Sequence, residues 1–180
     1  DQFNLSASPV DFGMSGTIAD PRGLAFDGAG ACWVSDGAAG KLYRIDSATD
    51  SPVAITLSGA SLSQPRGVTF GSDNAMYVAN MGGNTVIRVV PGGPGTSTGT
   101  AGIYLQGLTA PWGIAFDTLG NLYVSNNQGN SVYRQDVATG KLAPFADMPS
   151  PGGLVTDRAG FVYAIDNTSN NVYRISPLGD

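Results

Sequence analysis

The chain has 180 residues, of which 42% are hydrophobic and only 13% are charged, and this balance excludes a disordered chain. A net charge of −5 excludes the basic surface that nucleic-acid binding requires, and no apolar run reaches the ~18 residues of a membrane helix. The acidic residues are all Asp, and the chain contains neither Glu nor His. Because Gly, Ser, Thr and Asn are abundant while Glu and Lys are scarce, the composition favours strands and tight turns.

One sequence pattern occurs four times along the chain. Each copy begins with Pro-x-Gly and a short apolar run, continues through an aromatic residue to an Asp or Asn, and ends on an Arg. The Asp or Asn lies 15 residues after the Pro, and the Arg lies 23 residues after it. The prolines that open the four copies are Pro21, Pro65, Pro111 and Pro151. A fixed period of this length indicates a repeat architecture.

Each copy predicts short strands separated by tight turns. In the first copy these are an apolar inner strand at Leu24–Phe26, a second strand at Cys32–Ser35 and an alternating third strand at Lys41–Asp46. The turns end on Gly or Asn, which accept the left-handed backbone region. Fourth strands are predicted near Val53–Leu57, Ile103–Leu105 and Leu142–Phe145.

The strands add up to four four-stranded blades, which predicts an all-β fold with a single β-propeller domain over residues 1–180. The approximate repeats are 21–64, 65–110, 111–150 and 151–180, and the last has no fourth strand of its own. An N-terminal strand at Pro9–Phe12 precedes Pro21 as the outer strands precede the other prolines. The balanced strand count favours a ring closed by pairing residues 9–12 with the last blade. The alternative is a four-blade part of a larger propeller.

The run of Pro-x-Gly, Tyr-Val-[Ser/Ala]-[Asp/Asn] and Asn-x-Val-Tyr-Arg resembles the NHL-repeat propellers, a superfamily that includes the SMP-30/gluconolactonase-like and virginiamycin B lyase-like groups. The resemblance covers nearly the whole chain and implies the propeller fold. The lyases use a catalytic His, and the gluconolactonases bind a metal through a Glu with Asn and Asp. This chain has no His and no Glu, so the resemblance does not carry over either active site.

The resemblance implies that two sets of side chains share the face around the propeller axis. One slot, directly after the repeat Pro, varies between copies: Arg22, Arg66, Trp112 and Gly152. The other slot recurs as Asp36, Asn80, Asn126 and Asp166. As a ligand site, planar Arg and Trp would suit a sugar, a carboxylate or a peptide end, and the oxygens would suit Ca²⁺ or Mg²⁺, although no cofactor is predicted. A small ligand is expected against Gly152 and Gly153, held by Arg22 or Arg66 and stacked on Trp112. Gly152 is expected to be a loop position near the surface that can be replaced at little cost to folding.

Structural interpretations stand beside these. An Asp or Asn in such a slot caps the following turn through its own side chain, and recurrence in all four copies favours capping. The arginines that end the copies are predicted to pair with a neighbouring Asp or carbonyl: Arg44, Arg88, Arg134 and Arg174. The aromatic slot is predicted to pack between blades: Trp33, Tyr77, Tyr123 and Tyr163. The single Cys32 is expected to be a packed, unreactive thiol.

Three functions remain open. The favoured hypothesis is a non-catalytic binding propeller, extracellular or periplasmic, that takes a protein, small-molecule or glycan ligand on the axial face. An alternative is a metal-dependent hydrolase or lyase built on the Asp and Asn slot. The third is a self-assembling subunit that associates through an open blade edge.

Overall fold

The computed structural model describes residues 17–46, 49–93 and 95–179, and every regular element in that part of the chain is a β-strand apart from two short 3₁₀ turns, Met81–Gly83 and Asn127–Gly129. The strands form four sheets. The first contains β1 (Pro21–Phe26), β2 (Cys32–Asp36), β3 (Lys41–Asp46) and β4 (Ser51–Ala54). The second contains β5 (Thr56–Gly59), β6 (Pro65–Phe70), β7 (Met76–Asn80), β8 (Thr85–Pro91) and β9 (Thr98–Leu105). The third contains β10 (Pro111–Phe116), β11 (Leu122–Asn126), β12 (Ser131–Gln135) and β13 (Leu142–Asp147). The fourth contains β14 (Pro151–Thr156), β15 (Val162–Asp166) and β16 (Asn171–Ile175).

These sheets are the four blades of a β-propeller, so the predicted fold class is confirmed. Apart from β5, which the second sheet receives from the chain segment before its inner strand, successive strands within each blade pair antiparallel. Each inner strand begins at the repeat Pro: β1, β6, β10 and β14. Inner strands of consecutive blades pack side by side, β1 on β6, β6 on β10 and β10 on β14. This packing brings the starts of the four inner strands to one end of the axis.

The hydrophobic core lies between consecutive blades. Trp33 and Leu42 of the first blade pack against Val68 and Met76 of the second. In the same way, Tyr77 and its neighbours in the second blade pack against the third blade. Tyr123 of the third blade packs against the fourth blade. Trp33, Tyr77 and Tyr123 are buried in these cores, which confirms the predicted inter-blade role of their slot, whereas Tyr163 in the last blade is only half-buried.

The turns follow the sequence closely. The turn after each inner strand ends in the left-handed region at Gly30, Asn74, Gly120 and Gly160, as predicted. The turn after each second strand does so at Gly40, Asn84, Asn130 and Asn170. In three blades the Asp that opens the first turn accepts backbone N–H groups ahead of it; Asp117, for example, accepts from Leu119 and Asn121. In the second blade Gly71 holds that position, and Asp73 accepts the N–H of Ala75 instead.

The outer strands differ in detail from the prediction. The segment predicted near Val53–Leu57 is two strands: β4 pairs with β3 of its own blade, and β5 pairs in parallel with β9 of the next. Ile55, between them, is buried in the core of the first two blades and turns the chain from one blade to the other. The strand predicted near Ile103–Leu105 is longer and begins at Thr98. The predicted strand at residues 9–12, and with it the closure that it would provide, lies outside the described residues. No helix in the described part of the chain has the length and hydrophobicity needed to cross a membrane.

Candidate ligand-binding site at the axial face

A cavity of about 180 Å³ lies at the start of the inner strands, and we call it the axial cavity. Arg22 gives the wall of this cavity a charged side chain and Trp112 gives it an aromatic one. Gly153 also lines the cavity and leaves its part of the wall without a side chain. The rest of the wall is glycine and aliphatic side chain: Gly23, Leu24, Gly67, Val68, Gly113, Ile114 and Leu154. Since all four inner strands contribute, the repeat itself assembles the cavity.

Glycines allow the inner strands to approach closely at this cavity. A β-carbon on Gly67 would lie 2.8 Å from the carbonyl oxygen of Trp112, and one on Gly23 would lie 2.5 Å from that of Arg66. Any side chain here would therefore force two blades apart. The same approach brings Arg22 and Trp112, which follow the first and third repeat prolines, to the wall of the axial cavity. Arg66 is not one of the residues that line the cavity, but it lies against Trp112, which does.

Arg66 is held against Trp112. Its guanidinium carbon lies 4.2 Å from the centroid of the indole ring, a cation–π contact, and its Nε lies 3.2 Å from the sulfur of Met81. The Nη1 atom of Arg66 is buried and has no hydrogen-bond partner within the described part of the chain. Burial, and secondarily the positive charge of Arg22, lower the pKa of Arg66, but an Arg stays charged at any physiological pH. The rim therefore holds a positive charge whose hydrogen-bonding capacity is only partly used.

Arg22 differs because a carboxylate accompanies it. Its Nε lies 2.8 Å from Asp20, and both side chains are about one third exposed. Asp20 thus neutralises Arg22, and the three charged groups Arg22, Asp20 and Arg66 together leave a single net positive charge, which is that of Arg66. Sequence reasoning had not singled out Asp20 or Met81. Met81 follows Asn80, and the residues at the equivalent position of the other copies are Gly37, Asn127 and Asn167. The departure of Met81 from this pattern is the sequence feature that could have identified it.

Gly152 does not lie where the sequence placed it. It is a buried residue of β14, not an exposed loop residue, and the side chain of Asn167 lies against it: a β-carbon on Gly152 would be 2.7 Å from the Asn167 Nδ2. Gly153, and not Gly152, lines the axial cavity. The expectation that Gly152 is a tolerant surface position is therefore wrong, because the amide of Asn167 occupies the space above it.

The recurrent Asp and Asn side chains are buried and hydrogen-bonded inside their own blades. Asp36 accepts four backbone N–H groups, from Ala19 and Asp20 before the inner strand and from Ala38 and Ala39 in the turn after β2. Asn80 accepts the N–H of Ser63 and donates to Thr85. Asn126 accepts the N–H of Thr109, and Asp166 accepts from Thr168 and Ser169. The predicted capping of the following turn is confirmed for Asp36 and Asp166. Asn80 and Asn126 make no capping bond to the turn that follows and instead accept an N–H group from the segment before their inner strand.

The electrostatics of the two carboxylates in this slot follow from these bonds. Burial opposes ionisation of Asp36, but its backbone N–H donors outweigh burial and hold its pKa below the usual range. The hydroxyl of Ser169, with two backbone N–H groups, likewise lowers the pKa of Asp166. Both carboxylates are therefore ionised and engaged with donors of their own turns. In the described residues no group of three or more His, Cys, Asp or Glu side chains is placed to hold a metal ion.

The arginines that end the copies have different partners. Arg88 forms an ion pair of 2.7 Å with Asp73, and Arg134 one of 3.0 Å with Asp136, as predicted. Arg174 instead stacks over Phe161, with 4.7 Å between the guanidinium carbon and the ring centroid. These contacts lie at the outer parts of the blades and serve packing.

A larger cleft of about 510 Å³ lies at the opposite end of the strands, between the third and fourth blades. Its carboxylates are already engaged: Asp117 by its own turn and by Tyr123, and Asp136 by Arg134 and Thr139. Burial, then the charge of Asp117, raise the pKa of Tyr123 to about 12. We place the candidate site at the axial cavity because Arg66 is stacked on Trp112 of the cavity wall and its buried Nη1 has no hydrogen-bond partner among the described residues.

The fold is that of a β-propeller, and the solved structures that share it include lyases, a lactonase and a binding protein. Its structure matches virginiamycin B lyase from Staphylococcus aureus, a catalytically inactive variant solved with quinupristin, at a TM-score of 0.76 and 22% identity, over 98% of this chain and 59% of the lyase. It matches a gluconolactonase from Xanthomonas campestris at a TM-score of 0.72 and 20% identity, over 89% of this chain and 60% of that one.

A third similar structure is an auxiliary nutrient binding protein from Bacteroides thetaiotaomicron, at a TM-score of 0.68 and 15% identity, covering 84% of this chain and 46% of that one. The chain thus spans between about half and three fifths of the length of these neighbours. No protein-family model and no curated protein sequence matches it. At these identities the likeness shows the fold, and the neighbours include both enzymes and a protein named for binding.

Proposed function

We propose that this chain is a non-catalytic binding propeller, acting outside the cytoplasm, that takes a small carboxylate, or the carboxylate end of a larger ligand, in the axial cavity. The observation that carries the proposal is Arg66, whose guanidinium is stacked on Trp112 of the cavity wall and whose buried Nη1 has no hydrogen-bond partner in the part of the chain that the structure describes. A buried donor without a partner costs about 1–3 kcal/mol, and an anion is the partner that removes this cost with the largest gain.

The size of the cavity limits the ligand. A volume of about 180 Å³ holds roughly six water-sized groups at about 30 Å³ each, which suits an acid of the size of lactate or the terminal carboxylate of a sugar acid or peptide. Trp112 fixes the plane of the Arg66 guanidinium, so a carboxylate would meet a preorganised fork. The aliphatic wall would contact the carbon chain of the ligand.

The non-catalytic part of the proposal rests on the residues near the cavity. The sequence has no His or Glu, and the carboxylates of Asp36 and Asp166 are held by their own turns. Asp20 is paired with Arg22. A nucleophile at this rim would therefore have no neighbouring base to activate it.

The test compares ligands of equal size that differ in charge. Isothermal titration calorimetry would measure gluconate against glucose, and N-acetylglycine against N-acetylglycinamide. We expect the acid of at least one pair to bind with a dissociation constant of about 1 mM or tighter and its neutral counterpart to bind at least tenfold more weakly. Arg66→Gln should abolish the difference, and Arg158→Gln, which changes an exposed Arg in the opposite cleft, should leave it unchanged.

Two results would contradict the proposal. One is equal binding of acid and neutral ligand, or binding that survives Arg66→Gln and is lost in Arg158→Gln. The other is turnover: hydrolysis of gluconolactone that requires added Ca²⁺ or Mg²⁺ and disappears in Asp36→Asn would support the metal-dependent alternative instead.

A further inference from the structure

We propose that Asp20 makes the axial cavity selective for ligands with a single carboxylate. Asp20 holds Arg22 in an internal ion pair, which leaves only Arg66 to bind an anion. A ligand with a second carboxylate close to the first would be repelled by Asp20. The selectivity rests on the proposed function, since it concerns the same cavity and narrows the class of acids that the cavity takes.

The two arginines occupy the same slot of the repeat, but only one of them has a counter-ion. Arg22 and Arg66 each follow the repeat Pro of their copy. The residue directly before that Pro is Asp20 in the first copy and Gln64 in the second, and it is uncharged in the other two copies as well. The Nε of Arg22 lies 2.8 Å from Asp20, whereas no described carboxylate lies within ion-pair distance of Arg66.

The backbone fixes the position of Asp20. Its N–H donates to a carboxylate oxygen of Asp36, and its carbonyl accepts the N–H of Gly37 at 2.8 Å. These two bonds tie the residue to the turn after β2, just before the inner strand begins. The carboxylate of Asp20 is therefore in place before a ligand arrives, and no ordering of the chain is needed for it to act on the ligand.

The ion pair needs the glycine over which it lies. A β-carbon on Gly37 would lie 2.7 Å from a carboxylate oxygen of Asp20 and 3.1 Å from Cγ of Arg22. In the second copy Met81 stands at the position of Gly37, and its sulfur lies 3.2 Å from the Nε of Arg66. The Nε atoms of the two arginines thus face a carboxylate in one blade and a thioether in the next. A thioether is a weak, uncharged acceptor, so it holds Arg66 without neutralising it.

The three charged groups lie close enough to act on one another and on a shared ligand. Arg22 lines the axial cavity together with Trp112, and Arg66 stacks on the same indole ring. Burial lowers the pKa of Arg66 most, the charge of Arg22 lowers it further, and the charge of Asp20 raises it. One carboxylate on the ligand would balance the single net positive charge. A second carboxylate would add a negative charge beside Asp20, and such a repulsive contact is a common source of specificity.

The test adds a second carboxylate to the acids of the charge comparison above. Isothermal titration calorimetry at neutral pH would compare gluconate with glucarate, and N-acetylglycine with N-malonylglycine. In at least one pair the wild-type chain should bind the monoacid about tenfold more tightly than the diacid, the scale of one partly screened charge pair. Asp20→Asn should reverse this order, because two unpaired guanidiniums then face the diacid.

Two further variants separate the effect of Asp20 from those of net charge and ligand size. Asp50→Asn removes the same charge from an exposed turn after β3 and should keep the wild-type order. The double variant Asp20→Asn with Arg22→Gln removes the whole ion pair and preserves the net charge around the cavity. Monoacid and diacid should then bind within about threefold of each other. Urea denaturation would show that each variant is folded.

The outcomes distinguish this selectivity from the proposed function. If the wild-type chain binds no acid more tightly than its neutral counterpart, the proposed function fails and the selectivity fails with it. If acids bind but the wild-type chain takes monoacid and diacid equally, the selectivity alone is wrong. The same holds if Asp20→Asn leaves the order unchanged, since Asp20 would then be only a structural partner of Arg22.

Discussion

Asp36 is expected to contribute more to stability than any exposed carboxylate of the described residues, because its side chain adds four hydrogen bonds to two segments that the backbone bond from Gly37 to Asp20 also joins. Its two oxygens accept four backbone N–H groups, two before the inner strand and two in the turn after β2. Replacing it by Ala removes both acceptor oxygens of a fully buried side chain and leaves four backbone N–H groups without this partner. At about 1 kcal/mol for each N–H group, near the low end of the cost of an unpaired buried donor because water can enter, Asp36→Ala should lower the free energy of unfolding by about 4 kcal/mol.

Asp36→Asn is the informative second variant. An Asn fills the same slot in the second and third blades, and its oxygen can keep the three bonds that Oδ1 of Asp36 accepts. The amide nitrogen would face the N–H of Ala19, so about 1–2 kcal/mol should be lost. Urea denaturation measures both changes: with a slope of about 2 kcal/mol per M, the midpoint should fall by about 2 M for Asp36→Ala and by less than 1 M for Asp36→Asn.

The exposed Asp50→Asn serves as the control and should change the free energy of unfolding by less than about 0.5 kcal/mol. The reasoning is refuted if Asp36→Ala costs less than about 1 kcal/mol, or if the Ala and Asn variants are equally unstable. Equal losses would mean that the negative charge, and not the count of accepted bonds, determines the stability.

The same carboxylate gives the direction of the pH dependence. The folded-state pKa of Asp36 lies below its unfolded value, so its contribution is fully present above about pH 4 and is lost as the pH falls through the folded-state pKa. Stability of the wild-type chain should therefore fall on acidification below about pH 4. Asp36→Asn, which cannot titrate, should show a shallower fall in urea midpoint between pH 5 and pH 2.

Further predictions concern packing and titration. Gly67→Ala should cost about 1–3 kcal/mol because its β-carbon meets a carbonyl of the next blade, while Gly102→Ala, with open space around it, should stay near neutral in the same urea assay. Spectrophotometric titration should show Tyr123 ionising near pH 12, after tyrosines that are exposed, and Tyr123→Phe should remove that late step. Asp73→Asn should cost at most about 1 kcal/mol and lose its effect in 1 M NaCl, because the ion pair with Arg88 is partly exposed.

The repeat made most of the fold predictable because each slot has a local physical reason. Gly40, Asn84 and Asn130 end turns in the left-handed region, which their residue types accept, and all three were predicted from residue type and spacing alone. Lys41–Asp46 was predicted with its observed bounds because its alternation matches a strand with one buried face. The outer strands were less accurate, since β5 pairs with the following blade and no local pattern marks the change of partner at Ile55.

Other features have no local signal at all. Gln64, Ala110 and Ser150 each precede a repeat Pro and each has a positive φ, between 41° and 52°. Their residue types do not favour that region, and a residue before Pro is normally extended. Backbone hydrogen bonds to the turn after β11 and β15, from Asn127 to Ala110 and from Asn167 to Ser150, are part of what holds them there. Tertiary contacts thus decide a conformation that the sequence alone argues against.

The contrast between the two axial slots shows where sequence reasoning can separate function from structure. A residue type that recurs in all four copies is expected to have a structural role that every blade requires. The side chains in this slot have such a role, because each accepts backbone N–H groups: Asp36, Asn80, Asn126 and Asp166. The slot after the repeat Pro has no shared task, so its occupants differ. Its variation places Arg66 on Trp112 at one side of the axial cavity and leaves the other side open at Gly153. In the described residues, this variable slot is also the one in which a buried polar atom, the Nη1 of Arg66, has no hydrogen-bond partner.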